Sequence, residues 1–359
     1  MNILDSIVAA LADHIGGEVV GDGQLKITGA ATLSEAVAGQ VSFLANAKYI
    51  DQVPSCQGSV IIVAQDFDCS AYAKEGLAFI CVKDPYYGFM QIVVLLHGHR
   101  EHREVTISDK TDIDTTAQIG EGVDIHAFVT IGAGAKIGNG TKIYSGCSIG
   151  ADVIIGDNCI LYPNVTIYER CILGDRVTLH ASCVIGQDGF GYATHDGKHN
   201  KIPQIGAAVI GNDVEMGAGC TVDRATLGNT EIGEGCKFSN AVTVGHNSKL
   251  GKGCLIVAQV GIAGSATIGD YCVFGGKAAI LGHIKIGSHV KAGANSGVYN
   301  DIPDGQTILG IPAQSAMQTK RNWALINKLP EFKKKLRELD EAMRAVEKRQ
   351  DDKNIDSNK

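Results

Sequence analysis

Residues 142–186 read KIYSGCSIGADVIIGDNCILYPNVTIYERCILGDRVTLHASCVIG. Counted in sixes, the stretch sets Ile143, Ile149, Ile155, Leu161, Ile167, Leu173, Leu179 and Ile185 in one register. Most units carry glycine or a small polar residue next, and Ala, Ser, Thr, Val or Cys four places after the aliphatic. The same phase runs back through Ile137, Ile131, Ile125, Ile119 and Ile113 to Ile107. After an interruption it resumes at Ile210, Met216 and Val222, slips by four residues, and continues from Ile232 to Val298. An internal period decides an architecture before any single element does. A period of six predicts a parallel β-helix in which three units make one triangular coil. Eighteen residues then close a turn, and each coil rises by one strand spacing, roughly 4.8 Å. About 29 units predict about ten coils. Each inward aliphatic stabilises the coil by roughly 1.5–3 kcal/mol when fully buried.

The register also accounts for most of the cysteines. Cys147, Cys159, Cys171, Cys183, Cys220, Cys236, Cys254 and Cys272 each stand four places after their unit's aliphatic. That is the small inward slot, where a free thiol packs as a small hydrophobe. No Cys-x-x-Cys pair occurs, so neither a zinc site nor a disulfide framework is expected. Free core thiols fit a reducing cytoplasm. The net charge of −7 argues against general nucleic-acid binding. No run approaches the length of a membrane span. Met1-Asn2-Ile3-Leu4-Asp5 has neither the basic nor the apolar part of a leader.

Outside the repeat the character of the chain changes. Residues 1–105 read as a small α/β domain. Ile3, Ile7, Val8, Leu11 and Ile15 predict a first helix. Short strands are expected at 18–20, 25–28, 41–44, 58–63 and 77–82. Asp84 and Pro85 open a second helix as N-cap and first helical residue. Residues 97–103 form a charged linker, and the β-helix is expected over 106–312. Within it, residues 187–208 break the period and let it restart. A long excursion from a rigid scaffold is a candidate binding loop, with Phe190, Tyr192, His195, His199 and Lys201 as its notable side chains. Over 313–350, Leu325, Leu329, Phe332, Leu336, Leu339, Met343 and Val346 alternate at four and three, an oligomerising helical seam with a basic flank. The polar tail at 351–359 is expected to be disordered.

Few residues of such a scaffold can do chemistry. His246 holds the third place of its unit, and eighteen residues on, one coil away at the same corner, stands Gly264. An imidazole beside a backbone N–H suits acyl transfer, because the histidine takes a proton from the nucleophile and the N–H receives the developing oxyanion. Glycine at 264 is expected to leave room for a substrate carbonyl. His283 lies two coils on, one residue out of step. The chain has no Gly-x-Ser-x-Gly elbow, no Walker A loop and no dinucleotide fingerprint.

The α/β domain, the ten-coil repeat, the GQDGFGYA segment at 186–193, the Gly245-His246-Asn247 triplet and the C-terminal helix together resemble one family over nearly the whole chain. It is the UDP-3-O-(3-hydroxyacyl)glucosamine N-acyltransferases of lipid A biosynthesis in Gram-negative bacteria. The resemblance implies a left-handed β-helix and a cytoplasmic homotrimer without metal or redox cofactor. Its substrates are a UDP-sugar and a 3-hydroxyacyl chain carried by acyl carrier protein. It implies His246 as general base on the sugar 2-amino group, His283 as a second active-site histidine, the Gly264 N–H as oxyanion donor and Asn240 as a substrate contact. In the N-terminal domain it implies that Phe43 and Tyr49 sandwich the uracil while Asn46 reads its edge; such stacking is worth roughly 1–3 kcal/mol per base.

The chain departs from the family pattern at three places. Ser239 stands where many members have Asp, Gly297 where some have an acyl-limiting methionine, and Asn300 where some have a basic contact for the carrier. Competing readings are a UDP-N-acetylglucosamine O-acyltransferase, an acetyl-CoA sugar acetyltransferase and a non-enzymatic β-helix scaffold. An anhydrase-like zinc site would need a third histidine beside His246 and His283.

Overall fold

The computed structural model describes residues 6–102, 104–310 and 316–356. The chain divides into two compact units after Arg103.

The first unit is an α/β layer. Its five-stranded sheet runs in the order Glu18–Val20, Ala78–Val82, Val60–Ala64, Gln40–Phe43, Gly29–Ala30. The first pairing is antiparallel and the others are parallel. Alternation along the central strand splits the core: Val60 and Ile62 pack with Leu11 and Ile92, while Ile61 and Val63 pack with Leu44 and Phe79. Both faces being covered, these strands read as unbroken apolar runs. Helix α1 spans Val8–Ile15 and α2 spans Pro85–His97. Asp84 caps α2, its side chain accepting from the Tyr86 and Tyr87 N–H groups at 3.1 and 3.0 Å. The first helix starts later than its apolar pattern suggested. Ile7 is extended and pairs with Lys26 in a two-stranded ribbon, and Ile3 lies outside the described residues.

The second unit is the parallel β-helix. Three parallel sheets of ten, ten and nine strands run along it, so the coil count follows from the six-residue period. In one coil Lys142–Ile143 lies on the first face, Ser148–Ile149 on the second and Ile154–Ile155 on the third, and each pairs with the segment eighteen residues on. The inward aliphatics from Ile125 to Val298 and all eight slot cysteines form one continuous core. All eleven cysteines are free and buried. The unit begins at Glu104, before the repeat itself, because Asp124 holds the incoming chain. Its Oδ1 accepts from the Val105 and Thr106 N–H groups at 2.9 and 3.0 Å, and its Oδ2 pairs with Lys142 at 2.6 Å.

The corners follow a rule of their own. At one corner each turn leaves a backbone N–H that its own coil does not use, and a side chain from the next coil covers it. From the third face to the first, Asn139 Oδ1 accepts from Glu121 N at 2.8 Å, Asp157 from Asn139 N at 2.7 Å and Asp175 from Asp157 N at 2.9 Å. These polar ladders satisfy groups that would otherwise be orphaned.

Two insertions interrupt the eighteen-residue step. Leu173 pairs with Ile210, across residues 187–208. Ile210 pairs with Ile232, and the four extra residues fall at the turn containing 223–228. Beyond the coils come α3, Ala316–Asn327, and α4, Leu329–Asp356. The expected apolar seam is uncovered: Leu329, Phe332, Leu336, Leu339 and Met343 are all exposed. Of the tail expected to be disordered, residues 351–356 continue α4 in a segment free of Gly and Pro, and 357–359 lie outside the described residues. Among the described residues no helix is long and apolar enough to cross a membrane.

Candidate active site

The site lies where the second face turns into the third. Strand Thr243–Val244 stacks between Thr221–Asp223 and Gly261–Ile262, and His246 follows it into the corner. The half-buried imidazole lies directly over Gly264. A methyl group at 264 would stand 2.7 Å from Nε2, 2.9 Å from Cε1 and 3.0 Å from Cδ2. This corrects the reason expected for the glycine. The space is filled by the imidazole itself and is not left open for a carbonyl.

The neighbouring coils complete the corner. Ser265 N–H donates to His246 O at 2.8 Å, and His283 N–H donates to Gly264 O at 3.2 Å. His246, Gly264 and His283 thus share one corner, with the His283 side chain exposed. Among the described residues the Gly264 N–H has no protein acceptor. The residue one coil on is Gly282, which has no side chain to cap it. As at Ala133 and Ala151, on the same corner of earlier coils, no side chain from the next coil caps this N–H; here it lies beside an imidazole and is free for an outside acceptor.

On the other side of the imidazole is the excursion. A methyl group on Gly189 would come within 2.5 Å of His246 Cβ and 2.9 Å of Cγ, so the start of the excursion packs onto the histidine. The segment then forms a hairpin, Tyr192–His195 with Lys198–Lys201. Phe190 is 85% exposed and meets Tyr192 edge to face at 5.2 Å. Lys201 pairs with Asp188 at 3.2 Å and lies 5.4 Å from the Tyr192 ring. The hairpin returns through buried Gln204, which accepts from the Thr226 hydroxyl at 2.9 Å. Its base is fixed by buried Arg224, which donates to Gly186 O at 2.6 Å and to Glu169 Oε1 at 2.5 Å.

A carboxylate also stands here. Asp223 is buried and accepts from Gln187 Nε2 at 2.9 Å. Burial pushes its pKa up, while the Gln187 bond and the charges of His246 and Lys201 pull it down. Ser239 lies between the first and second faces, whereas the coil beneath His246 carries a buried carboxylate. The repeat register alone gave no sign of it. Among the described residues no three His, Cys, Asp or Glu side chains gather as metal ligands.

Asn240 is not brought to this corner. It lies between the first and second faces, where its Oδ1 accepts from Ala218 N at 2.9 Å as an ordinary corner cap. Only its amide NH2 is left to face a ligand. Gly297 lies on the second face, three coils past Thr243 by way of Gly261 and Ala279. The Tyr299 ring covers it: a methyl group at 297 would sit 2.8 Å from Tyr299 Cε2. A cavity of about 510 Å³ opens there, lined by Lys277, Ala279, Gly297, Tyr299 and Leu309.

The first unit has its own cavity, of about 600 Å³, which gathers Phe43, Asn46 and Tyr49. Phe43 stacks on Phe89 at 4.3 Å, so it can offer a ligand one ring face only. Asn46 Oδ1 accepts from Lys48 N at 3.0 Å, which leaves its NH2 as the group directed outward. Tyr49 is about half exposed. Thr32, Glu35 and Tyr86 also line the cavity, and no motif in the sequence marks them.

A hexapeptide β-helix with an imidazole set on an uncapped N–H defines a class, the hexapeptide acyltransferases. The profile of bacterial transferase hexapeptide repeats matches residues 134–169 and 152–187. That of UDP-3-O-(3-hydroxymyristoyl) glucosamine N-acyltransferase matches residues 24–95. The UDP-3-O-acylglucosamine N-acyltransferase of Syntrophobacter fumaroxidans is 48% identical over 342 residues, 95% of each chain. That of Cytophaga hutchinsonii is 48% identical over 333 residues, 92% of this chain and 95% of the relative. Among solved structures, Arabidopsis UDP-N-acetylglucosamine acyltransferase overlays at a TM-score of 0.49 and 20% identity, over 60% of this chain and 76% of that one. The chain belongs to the UDP-3-O-acylglucosamine N-acyltransferase family.

Proposed function

We propose that the corner around His246 transfers a 3-hydroxyacyl group from the thioester of an acyl carrier protein to the 2-amino group of UDP-3-O-acylglucosamine, giving the UDP-2,3-diacyl sugar. The observation that carries this reading is the imidazole lying over Gly264 beside an N–H that the ladder leaves uncapped. His246 Nε2 accepts the amine proton as the nitrogen attacks the thioester carbonyl. The carbonyl oxygen becomes an oxyanion and takes the Gly264 N–H. The tetrahedral intermediate then collapses, the C–S bond breaks, and the thiolate leaves with a proton returned from the imidazolium. His283, exposed on the same corner, assists at the carrier side. The scheme needs neither metal nor redox cofactor.

The N-terminal cavity fits a uracil, with Phe43 and Tyr49 as ring faces and the Asn46 amide as the edge donor. Phe190 and Tyr192, next in chain to the Gly189 that touches His246, are further substrate contacts. A homotrimer suits the geometry. Asn240 and His246 occupy different corners of one coil and can serve one site only if neighbouring copies meet there. The uncovered stripe from Leu329 to Met343 gives such copies an apolar seam. Its basic flank, with Lys333 and Arg337 beside Phe332 and Leu336, suits an acidic carrier protein. Both substrates so described are cytoplasmic molecules.

General-base help is typically worth 10²–10⁴-fold. His246→Ala is expected to lower kcat by at least the smaller of these factors with the assembly intact. Near-native turnover in that variant overturns the reading.

A further inference from the structure

The four-residue slip in the repeat has no part in the coil. It lengthens the turn at 223–228, which lies between the excursion on the coil beneath and the regular turn at His246, and that turn closes on one side chain, Asn247. Asn247 directly follows His246 and has the left-handed φ of 60° found at many corners of this helix. Every polar atom of its amide has a partner. Oδ1 accepts from Thr226 N at 3.0 Å, and Nδ2 donates to Leu227 O at 2.9 Å. Its own backbone N–H donates to the hydroxyl of buried Thr230 at 2.8 Å.

These bonds fix which way the amide faces. Flipping it would set NH2 against the Thr226 N–H and carbonyl oxygen against Leu227 C=O, two repulsions in place of two bonds. The atom 3.1 Å from His246 Nδ1 is therefore Oδ1, which only accepts. A ring nitrogen facing a fixed acceptor must carry the hydrogen. Nε2, the nitrogen lying over Gly264, then holds the lone pair.

We propose that Asn247 is a positioning residue that locks His246 in the tautomer with its proton on Nδ1, and that the inserted turn serves to hold the Asn247 amide. The inference rests on His246 being the base. Without the lock, part of the protein would carry the proton on Nε2 and could accept nothing there. When the imidazolium forms, the Nδ1–H to Oδ1 bond persists and no group has to reorient. The other charged and titratable groups at this corner are Asp223 from the coil beneath, Asp188 and Lys201 at the base of the excursion, and His283 two coils on; the substitutions below leave all of them in place.

The test compares the full-length protein with His246→Ala, Asn247→Gly and Asn247→Asp. Glycine keeps the left-handed backbone and removes the acceptor. Aspartate keeps an acceptor and adds a negative charge. Asn247→Gly should lose about 10- to 100-fold in kcat, with KM for both substrates within about twofold. Asn247→Asp should regain most of that loss and move the acid limb of kcat/KM upward, since a nearby carboxylate favours the imidazolium. A merely structural role would change melting temperature and both KM values and leave the acid limb in place. In ¹⁵N-histidine spectra of the resting protein, the signal lost in His246→Ala should show a protonated Nδ1 and a bare Nε2. The opposite tautomer, or kcat within twofold of native in Asn247→Gly, overturns the proposal. An active His246→Ala would instead remove the base assignment itself. An inactive His246→Ala beside native-like Asn247 variants would remove only the role of Asn247.

Discussion

Adding one methyl group at Gly264 would put a carbon 2.7 Å from Nε2 of His246. That is about 0.7 Å short of ordinary contact, so the ring must move. It has little room, because the Gly189 backbone packs against Cβ and Cγ on the other side. The backbone at 264 itself is unstrained, since its φ is not left-handed and alanine can adopt it. The methyl group therefore acts on the imidazole rather than on the turn. Overpacking of this kind costs roughly 1–3 kcal/mol, which a coil stacked on both sides can bear. A displacement approaching 1 Å at a reacting group costs roughly 10²-fold in rate. Gly264→Ala should accordingly fold and assemble, keep KM for the UDP-sugar, and lose about two orders of magnitude in kcat. The assay is steady-state N-acylation alongside thermal melting and sizing. Gly276→Ala is the control, because a methyl group there meets Ala258 O at 3.4 Å and Val257 Cγ1 at 3.6 Å and fits. Turnover within threefold of native in Gly264→Ala would refute the claim that the imidazole works from this position.

The other predictions concern the flanks of the site. Tyr49→Ala, at a ring 47% exposed, should raise KM for the UDP-sugar by about 5- to 150-fold, the equivalent of roughly 1–3 kcal/mol of lost stacking, without lowering kcat; a KM within twofold of native would remove the uracil assignment. Tyr299→Ala should open the second face beyond Gly297 and shift preference toward longer acyl chains, measured on a ladder of donors; an unchanged preference would show that the ring is no stop. Asp124→Asn should destabilise the first coil by about 1–2 kcal/mol at pH 7, below the figure for a fully buried pair because Lys142 is partly exposed. Burial raises the Asp124 pKa, but the Lys142 bond and two backbone N–H bonds outweigh it, so the folded value is lowered. A lowered carboxylate contributes stability above its unfolded value of about 3.9 that is lost as pH falls through the folded value. The melting difference between native and Asp124→Asn should thus be present at neutral pH and vanish in strong acid; a difference constant across that range would contradict it.

Much of this was legible in the chain because a coil obeys arithmetic. The inward positions from Ile125 to Val298 and the eight slot cysteines follow from counting in sixes. Counting in eighteens sets His246 beside Gly264. Counting fails where the chain leaves the coil. Gly189 returns to touch His246 from inside an excursion whose path no period describes. Asp223 and Asn247 gain their meaning from a four-residue insertion, which reads in the sequence as a flaw in the register. Asn240 is a different case: the resemblance alone marks it as a substrate contact, and the fold adds that its oxygen is bonded to Ala218 N across the four-residue insertion, which leaves its NH2 for a ligand. The N-terminal cavity was found through a stretch of resemblance, and Thr32, Glu35 and Tyr86 join it only through tertiary packing.

The protein should be incubated with UDP-3-O-acylglucosamine and a ladder of 3-hydroxyacyl carrier proteins, and the products weighed and fragmented. One 3-hydroxyacyl group should appear on the 2-amino nitrogen, added by the native protein and suppressed by His246→Ala. No acylation of that nitrogen, acylation of a sugar oxygen instead, or transfer only from acetyl-CoA would contradict it.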